Sequence, residues 1–207
     1  MRSPRFICLK AAALTTVELL VVIAITVAMC VLLLPANIQT RQKAKAVKCL
    51  GNVRTIGIAL NAYLADRGTY PGSYIVMTPK KQYWWLGLDY YVSGKEGDPS
   101  ADIPEWARCP AKKRKFGTQG AGFGYNTVQF GYLPPTMLRP VQVVNASSAI
   151  VLGDNADDGM NPSTIGILHK GMFASRHLGG GHYLYADGHI EWKSATDTEQ
   201  EWNPKPF

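Results

Sequence analysis

The chain has 207 residues, 46% hydrophobic and 18% charged, with a formal net charge of +7. This composition excludes a disordered chain and leaves room for one modest domain with a real core. The charge is not a nucleic-acid footprint: Arg2, Arg5 and Lys10 precede the first acid, Arg41, Lys43, Lys45 and Lys48 follow an apolar run, Lys112–Lys115 form "KKRK", and no recognition motif accompanies them.

From Ala11 to Ala36 the only charge is Glu18. At ~1.5 Å of rise per residue such a run is long enough as a helix to span a bilayer, and the basic residues before it favour a cytoplasmic N-terminus. The expectation is therefore a single-pass membrane protein whose C-terminal part lies on the far side of the membrane from its N-terminus. Glu18 is the anomaly, because a carboxylate within an apolar span is costly and marks function by default. It either snorkels to the membrane surface or pairs with an amine created by proteolysis just upstream.

Helical patterning continues past Pro35. Leu50, Val53, Ile56, Leu60 and Tyr63 form one apolar stripe, with Lys48, Asn52, Arg54 and Asn61 opposite. Gly51 and Gly57 would admit a closely packed sheet, and Gly68 with Pro71 ends the helix. A helix from about Leu14 to Asp66 would be roughly 80 Å long.

The remainder reads as a small β-rich head. "YWWLGLDYYV" supplies aromatic core or, less simply, a sugar-stacking platform; "GFGYNTVQFGYL", "SSAIVLGD" and "HYLYADGHIEW" read as strands. Cys49 and Cys109 are the two cysteines outside the basic leader and the apolar run. Two readings stay open for them: an intrachain disulfide if the head is exported, or two buried thiols. No CxxC or Cys/His finger spacing occurs, so a structural zinc site is not expected. Asp154, Asn155, Asp157 and Asp158 offer oxygen ligands on one loop, a candidate calcium site without EF-hand spacing.

Catalysis is not expected. Rossmann, P-loop and nucleophile-elbow fingerprints are missing. His177, His182, Asp187 and His189 cluster in sequence, but Asp187-Gly188 reads as a two-residue hairpin turn. That turn sets Tyr185 opposite Ile190 and Tyr183 opposite Trp192, giving one apolar face of four side chains. His182, Leu184, His189 and Glu191 take the other face, with the two histidines roughly 13 Å apart, too far to share a metal. His177 alone has no assigned role.

Two resemblances cover nearly the whole chain. A short basic leader followed by "LTTVELLVVIAI" resembles the prepilin signal of type IV pilins and type II secretion pseudopilins. The resemblance implies cleavage between Ala13 and Leu14 by prepilin peptidase, N-methylation of Leu14, and Glu18 as the fifth mature residue, pairing with a neighbouring subunit's N-terminus. Pro35 falls where many members bend the helix, and Ala13 stands where the family normally has glycine. "KCLGNVRTIGIALNAYLADRGTYPG", "RCPAKKR", "GYNT", "AIVLGDN" and "RHLGGGHYLYADGHIEW" are similar to prepilin-type proteins marked by a C-terminal His, nine residues, then Asp-Gly; here these are His177, Asp187 and Gly188. That group is similar to the major pseudopilin. The implied fold is α+β and pilin-like: a long N-terminal α-helix, membrane-spanning in its first half, on a small antiparallel sheet. The implied organisation is a leader at 1–13, a membrane or filament-core helix at 14–35, its amphipathic continuation at 36–68, and a head at 69–207. Implied partners are copies of itself or other pseudopilins, prepilin peptidase, an assembly platform and the lipid bilayer. The alternative is a membrane-anchored exported protein that never polymerises and binds a glycan or protein ligand.

Overall fold

A computed structural model describes residues 15–72, 83–112, 121–131, 137–156 and 168–202, with the side chains of 32–38 and 199–201 outside that description. The fold is α+β. One helix, α1 (Thr16–Arg67), precedes α2 (Trp84–Ser93), and four strands follow: β1 (Phe123–Tyr125), β2 (Ile150–Asp154), β3 (Gly180–Tyr185) and β4 (Ile190–Ser194). The described residues also form two short helices, α3 (Thr127–Phe130) and α4 (Ala195–Glu201). The strands form one antiparallel sheet in the order β1-β2-β3-β4. The chain divides into two compact units between Arg41 and Gln42.

In the first unit α1 opens with a capping box. The Thr15 hydroxyl accepts from the Glu18 N–H at 3.3 Å, and the Glu18 carboxylate accepts from the Thr15 N–H at 2.8 Å. Each satisfies a donor that the first turn leaves without an intrahelical partner. Beyond it Val17, Leu19, Leu20, Val21, Val22, Ile23, Ile25, Val27, Met29 and Val31 are all exposed.

The membrane placement drawn from the sequence is corrected here. Among the described residues no helix is long and apolar enough to cross a membrane. A bilayer core asks for about 20 consecutive apolar residues. Glu18 stands within the apolar run of α1, and from Gln39 the helix carries Arg41, Gln42, Lys43 and Lys45.

In the second unit the apolar stripe holds as read. Cys49, Val53, Ile56, Ala59 and Leu60 are buried, Leu50 and Tyr63 are half-buried, and Arg54 and Asn61 face solvent. Gly57 meets Leu184 of β3, where an added Cβ would sit 3.2 Å from its Cδ1, whereas Gly51 faces open space. The helix ends at Arg67, and the Gly68 N–H donates to the Leu64 carbonyl at 2.8 Å.

The aromatic segment forms α2, burying Trp84, Trp85 and Leu88 in the same core. Among the described residues 122–131 of "GFGYNTVQFGYL", only Phe123–Tyr125 is strand. Asn126 then caps α3, its side-chain oxygen accepting from the Gln129 N–H at 3.2 Å. An Asx cap outcompetes the ladder at that point.

The β3–β4 hairpin exists, but its register differs from the expected one. Leu184 opposes Ile190, Tyr183 opposes Glu191 and His182 opposes Trp192. A two-residue type I′ turn needs positive φ at both central residues. Here Gly188 has φ of 91°, and the only described non-glycine residue with positive φ is Leu178. The turn is therefore a three-residue loop, Ala186 to Gly188, with Asp187 accepting from the His189 N–H at 3.1 Å. A one-residue slip exchanges the faces. Tyr183 and Tyr185 pack with Ile150, Leu168 and Phe173 on one side of the sheet, while Leu184 joins the α1 core on the other. His182 shares the Leu184 side and is buried rather than solvent-facing.

Candidate metal centre

Where β2 ends, four side chains from distant parts of the sequence converge. Cys49 comes from α1, Cys109 from the loop after the 3-10 turn Glu105–Ala107, Asp154 from the last position of β2, and His177 from the loop before β3. All four are buried, and one ligand atom from each lies within 4.8 Å of every other. The Cys109 Sγ is 3.3 Å from His177 Nε2, the Cys49 Sγ is 3.4 Å from Asp154 Oδ2, and His177 Nε2 is 3.5 Å from that same oxygen.

Local structure fixes each donor. Cys49 lies one turn before Val53 on the buried face of α1, so helical periodicity turns it inward. Asn52, beside it, donates to the Glu105 and Arg108 carbonyls at 3.1 and 2.7 Å, which clamps the Cys109 loop onto the helix. The Cys109 N–H donates to the Ala121 carbonyl at 2.8 Å. Asp154 accepts the His182 backbone N–H at 3.0 Å and the Arg176 guanidinium at 3.2 Å. Arg176 also donates to the Asn155 carbonyl at 2.6 Å and to the Gly122 carbonyl. The His177 N–H donates to the Gly180 carbonyl at 2.9 Å, and its own carbonyl accepts from the Trp192 indole at 2.9 Å. The next residue, Leu178, takes φ of 59°. A non-glycine residue in the left-handed region is strained, and such strain clusters at functional sites.

The electrostatics favour a charged Asp154 and Cys109, a protonated His177 and a neutral Cys49. Burial alone would raise the Asp154 carboxyl, but the His177 and His182 rings and the Arg176 charge outweigh it and hold the group well below its ordinary range. The same burial would lower His177; its contacts with Asp154 and Cys109 prevail and raise it to about 9. Hydrogen bonding from Cys49 lowers Cys109 to about 5 against the opposing effect of burial. Cys49 is pushed far up, first by that same bond and then by burial and the nearby Asp154 charge.

Cys109, His177 and Asp154 have the composition of a nucleophile, base and acid, but not the arrangement. A relay puts the nucleophile on one imidazole nitrogen and the carboxylate on the other. Here both approach Nε2. The groups converge on one point instead of forming a chain.

Of the sequence candidates, Cys49 and Cys109 do meet, as free thiols. Asp154 turns into this cluster, and Asn155 is buried in the sheet's continuation, pairing with Phe173. Asp157 and Asp158 lie outside the described residues, as do Ala13 and Leu14; Pro35 lies within α1 with its side chain outside them. Asp187 bonds the hairpin turn as expected, and its oxygen also lies 2.6 Å from the exposed His189 ring. His177 is not part of the hairpin; it belongs to the cluster. Sequence spacing missed this set because its members are joined by tertiary packing. The signals available were a charged residue closing the apolar strand "AIVLGD" and a cysteine on the buried stripe of α1.

No family model matches the chain, and no curated protein or solved structure does.

Proposed function

We propose that the chain is a structural subunit of a pilus-like filament, either a type II secretion pseudopilus or a type IV pilus-like fibre, processed before Leu14 by a prepilin peptidase and N-methylated there. The observation that carries this reading is the first unit of the chain: a helix whose apolar side chains from Val17 to Val31 are exposed around its circumference, with a carboxylate at its start. Ten large apolar side chains exposed on one helix are far more than a surface normally leaves open. Copies of the same helix would cover them, burying apolar area at about 25 cal/mol per Å². The pilin-like character of the second unit belongs to the same proposal: an amphipathic helix end packed on a four-stranded antiparallel sheet suits a head that decorates such a core.

The capping box gives Glu18 a competing, purely local job, and two substitutions separate the two. Glu18→Ala removes both cap and charge, whereas Glu18→Gln keeps a capping side chain and removes only the charge. If the charge pairs with a neighbouring N-terminus, both variants lose filament assembly, read by sedimentation and cross-linking of the full chain. Normal assembly of Glu18→Gln would contradict the pairing.

A second reading, a binding protein that does not polymerise, has one observation behind it. An open groove of about 810 Å³ lies between the end of α1 and α2, lined by Tyr63, Asp66, Arg67, Tyr90 and Tyr91. Aromatic rings beside paired charges suit a sugar face and its hydroxyls.

A further inference from the structure

We propose that Cys49, Cys109, Asp154 and His177 bind a single zinc ion in a closed, four-coordinate structural site. Zinc takes sulfur at about 2.3 Å and nitrogen or carboxylate oxygen at about 2.0–2.2 Å, so a regular tetrahedron of two sulfurs, one nitrogen and one oxygen has edges of about 3.3–3.8 Å. Three ligand-to-ligand distances, 3.3, 3.4 and 3.5 Å, match those edges, and no pair of ligand atoms exceeds 4.8 Å. The four donors come from four separate segments, so the convergence is not a by-product of one turn.

Charge and chemistry select the metal. Two thiolates and a carboxylate are balanced by a dication together with the Arg176 guanidinium, with His177 neutral. A buried cluster of this kind is stable only when its charges are compensated. Mixed thiolate, imidazole and carboxylate donors suit borderline zinc; calcium and magnesium want oxygen alone, and copper(I) prefers sulfur. Full burial leaves no open coordination position facing solvent, which separates a structural from a catalytic zinc site. The surrounding contacts are those of an outer shell that orients ligands. Arg176 and the His182 N–H hold the Asp154 carboxylate, and Asn52 holds the Cys109 loop. His182 Nδ1 is buried without a hydrogen-bond partner, 3.7 Å from Asp154 Oδ2. A site tightened around a metal gives that nitrogen its nearest acceptor. The inference does not depend on filament assembly.

The test uses the full-length chain purified under reducing conditions without chelator. Elemental analysis should find zinc equimolar with the chain. Exchange of zinc for cobalt(II) should produce thiolate-to-cobalt charge-transfer bands with the intense visible bands of tetrahedral coordination. Cys109→Ser should weaken the charge-transfer band, and His177→Cys, which keeps four donors, should retain metal and strengthen it. A wild-type chain that takes up neither metal, or that carries a Cys49–Cys109 disulfide when prepared with zinc present, overturns the proposal. So does cobalt bound without charge-transfer bands, since the sulfurs would then not be ligands. These wild-type measurements decide the matter even if a variant fails to fold.

Discussion

Withdrawing zinc with a strong chelator should lower the melting temperature of the second unit by roughly 8–16 °C. A ligand present at about a thousand times its Kd stabilises the folded state by about 4 kcal/mol, and in a domain of this size each kcal/mol moves Tm by about 2–4 °C. The reason for so large an effect is where the ligands stand. One is on α1, one on the loop that Asn52 clamps to it, one at the end of β2 and one before β3. Without the metal, the cluster must keep a carboxylate, an imidazole and two sulfurs packed together on hydrogen bonds and the Arg176 ion pair alone. Differential scanning calorimetry of the chain with zinc and with chelator reads the shift, and added zinc should restore the transition. An unchanged Tm would mean that the four groups stabilise the fold unaided.

The second large effect is expected at Arg176. Arg176→Ala should destabilise the second unit by about 3–5 kcal/mol, the range for removing one partner of a buried ion pair. The side chain is only 19% exposed, and Asp154, which it faces, is fully buried. Its other acceptors are backbone carbonyls of Gly122 and Asn155, on either side of the β1–β2 pairing. Truncation therefore takes the cation from a buried carboxylate and one donor from each of two carbonyls. Arg176→Lys should recover only part of the loss, because an ammonium on one stem cannot fork to three acceptors as a guanidinium does. Urea unfolding monitored by tryptophan fluorescence measures both variants, and a loss below about 1 kcal/mol, the value of an exposed pair, would contradict the buried-pair account.

Much of the fold can be read from periodicity. The buried stripe of α1, its end before Gly68, and the strands at Ile150–Asp154 and Gly180–Tyr185 follow from local patterning. These features depend on neighbours in sequence, which a sequence displays. The hairpin register does not, since Asp-Gly serves both a two-residue turn and a three-residue one, and the backbone of Asp187 decides between them. The choice moved Tyr183 and Tyr185 to the face opposite Ile190 and Trp192. Glu18 shows the reverse case: "TTVE" carries the capping-box spacing openly, yet the apolar run around it draws attention to charge pairing alone.

The cluster was the least legible feature. Finger-type zinc sites declare themselves because two ligands sit on one turn, and here no two ligands share an element. Each residue taken singly has an ordinary reading: a core thiol, a second core thiol, a loop aspartate and a histidine before three glycines. Only the packing of α1 on the sheet, which Gly57 permits by meeting Leu184 closely, brings Cys49 to Asp154.

X-ray absorption at the zinc edge tests that convergence most directly. The account predicts a four-coordinate shell with two sulfurs at about 2.3 Å and two nitrogen or oxygen neighbours at about 2.0–2.1 Å, one of them with the outer-shell scattering of an imidazole. A shell of oxygen and nitrogen alone, or of five or six neighbours, would contradict it.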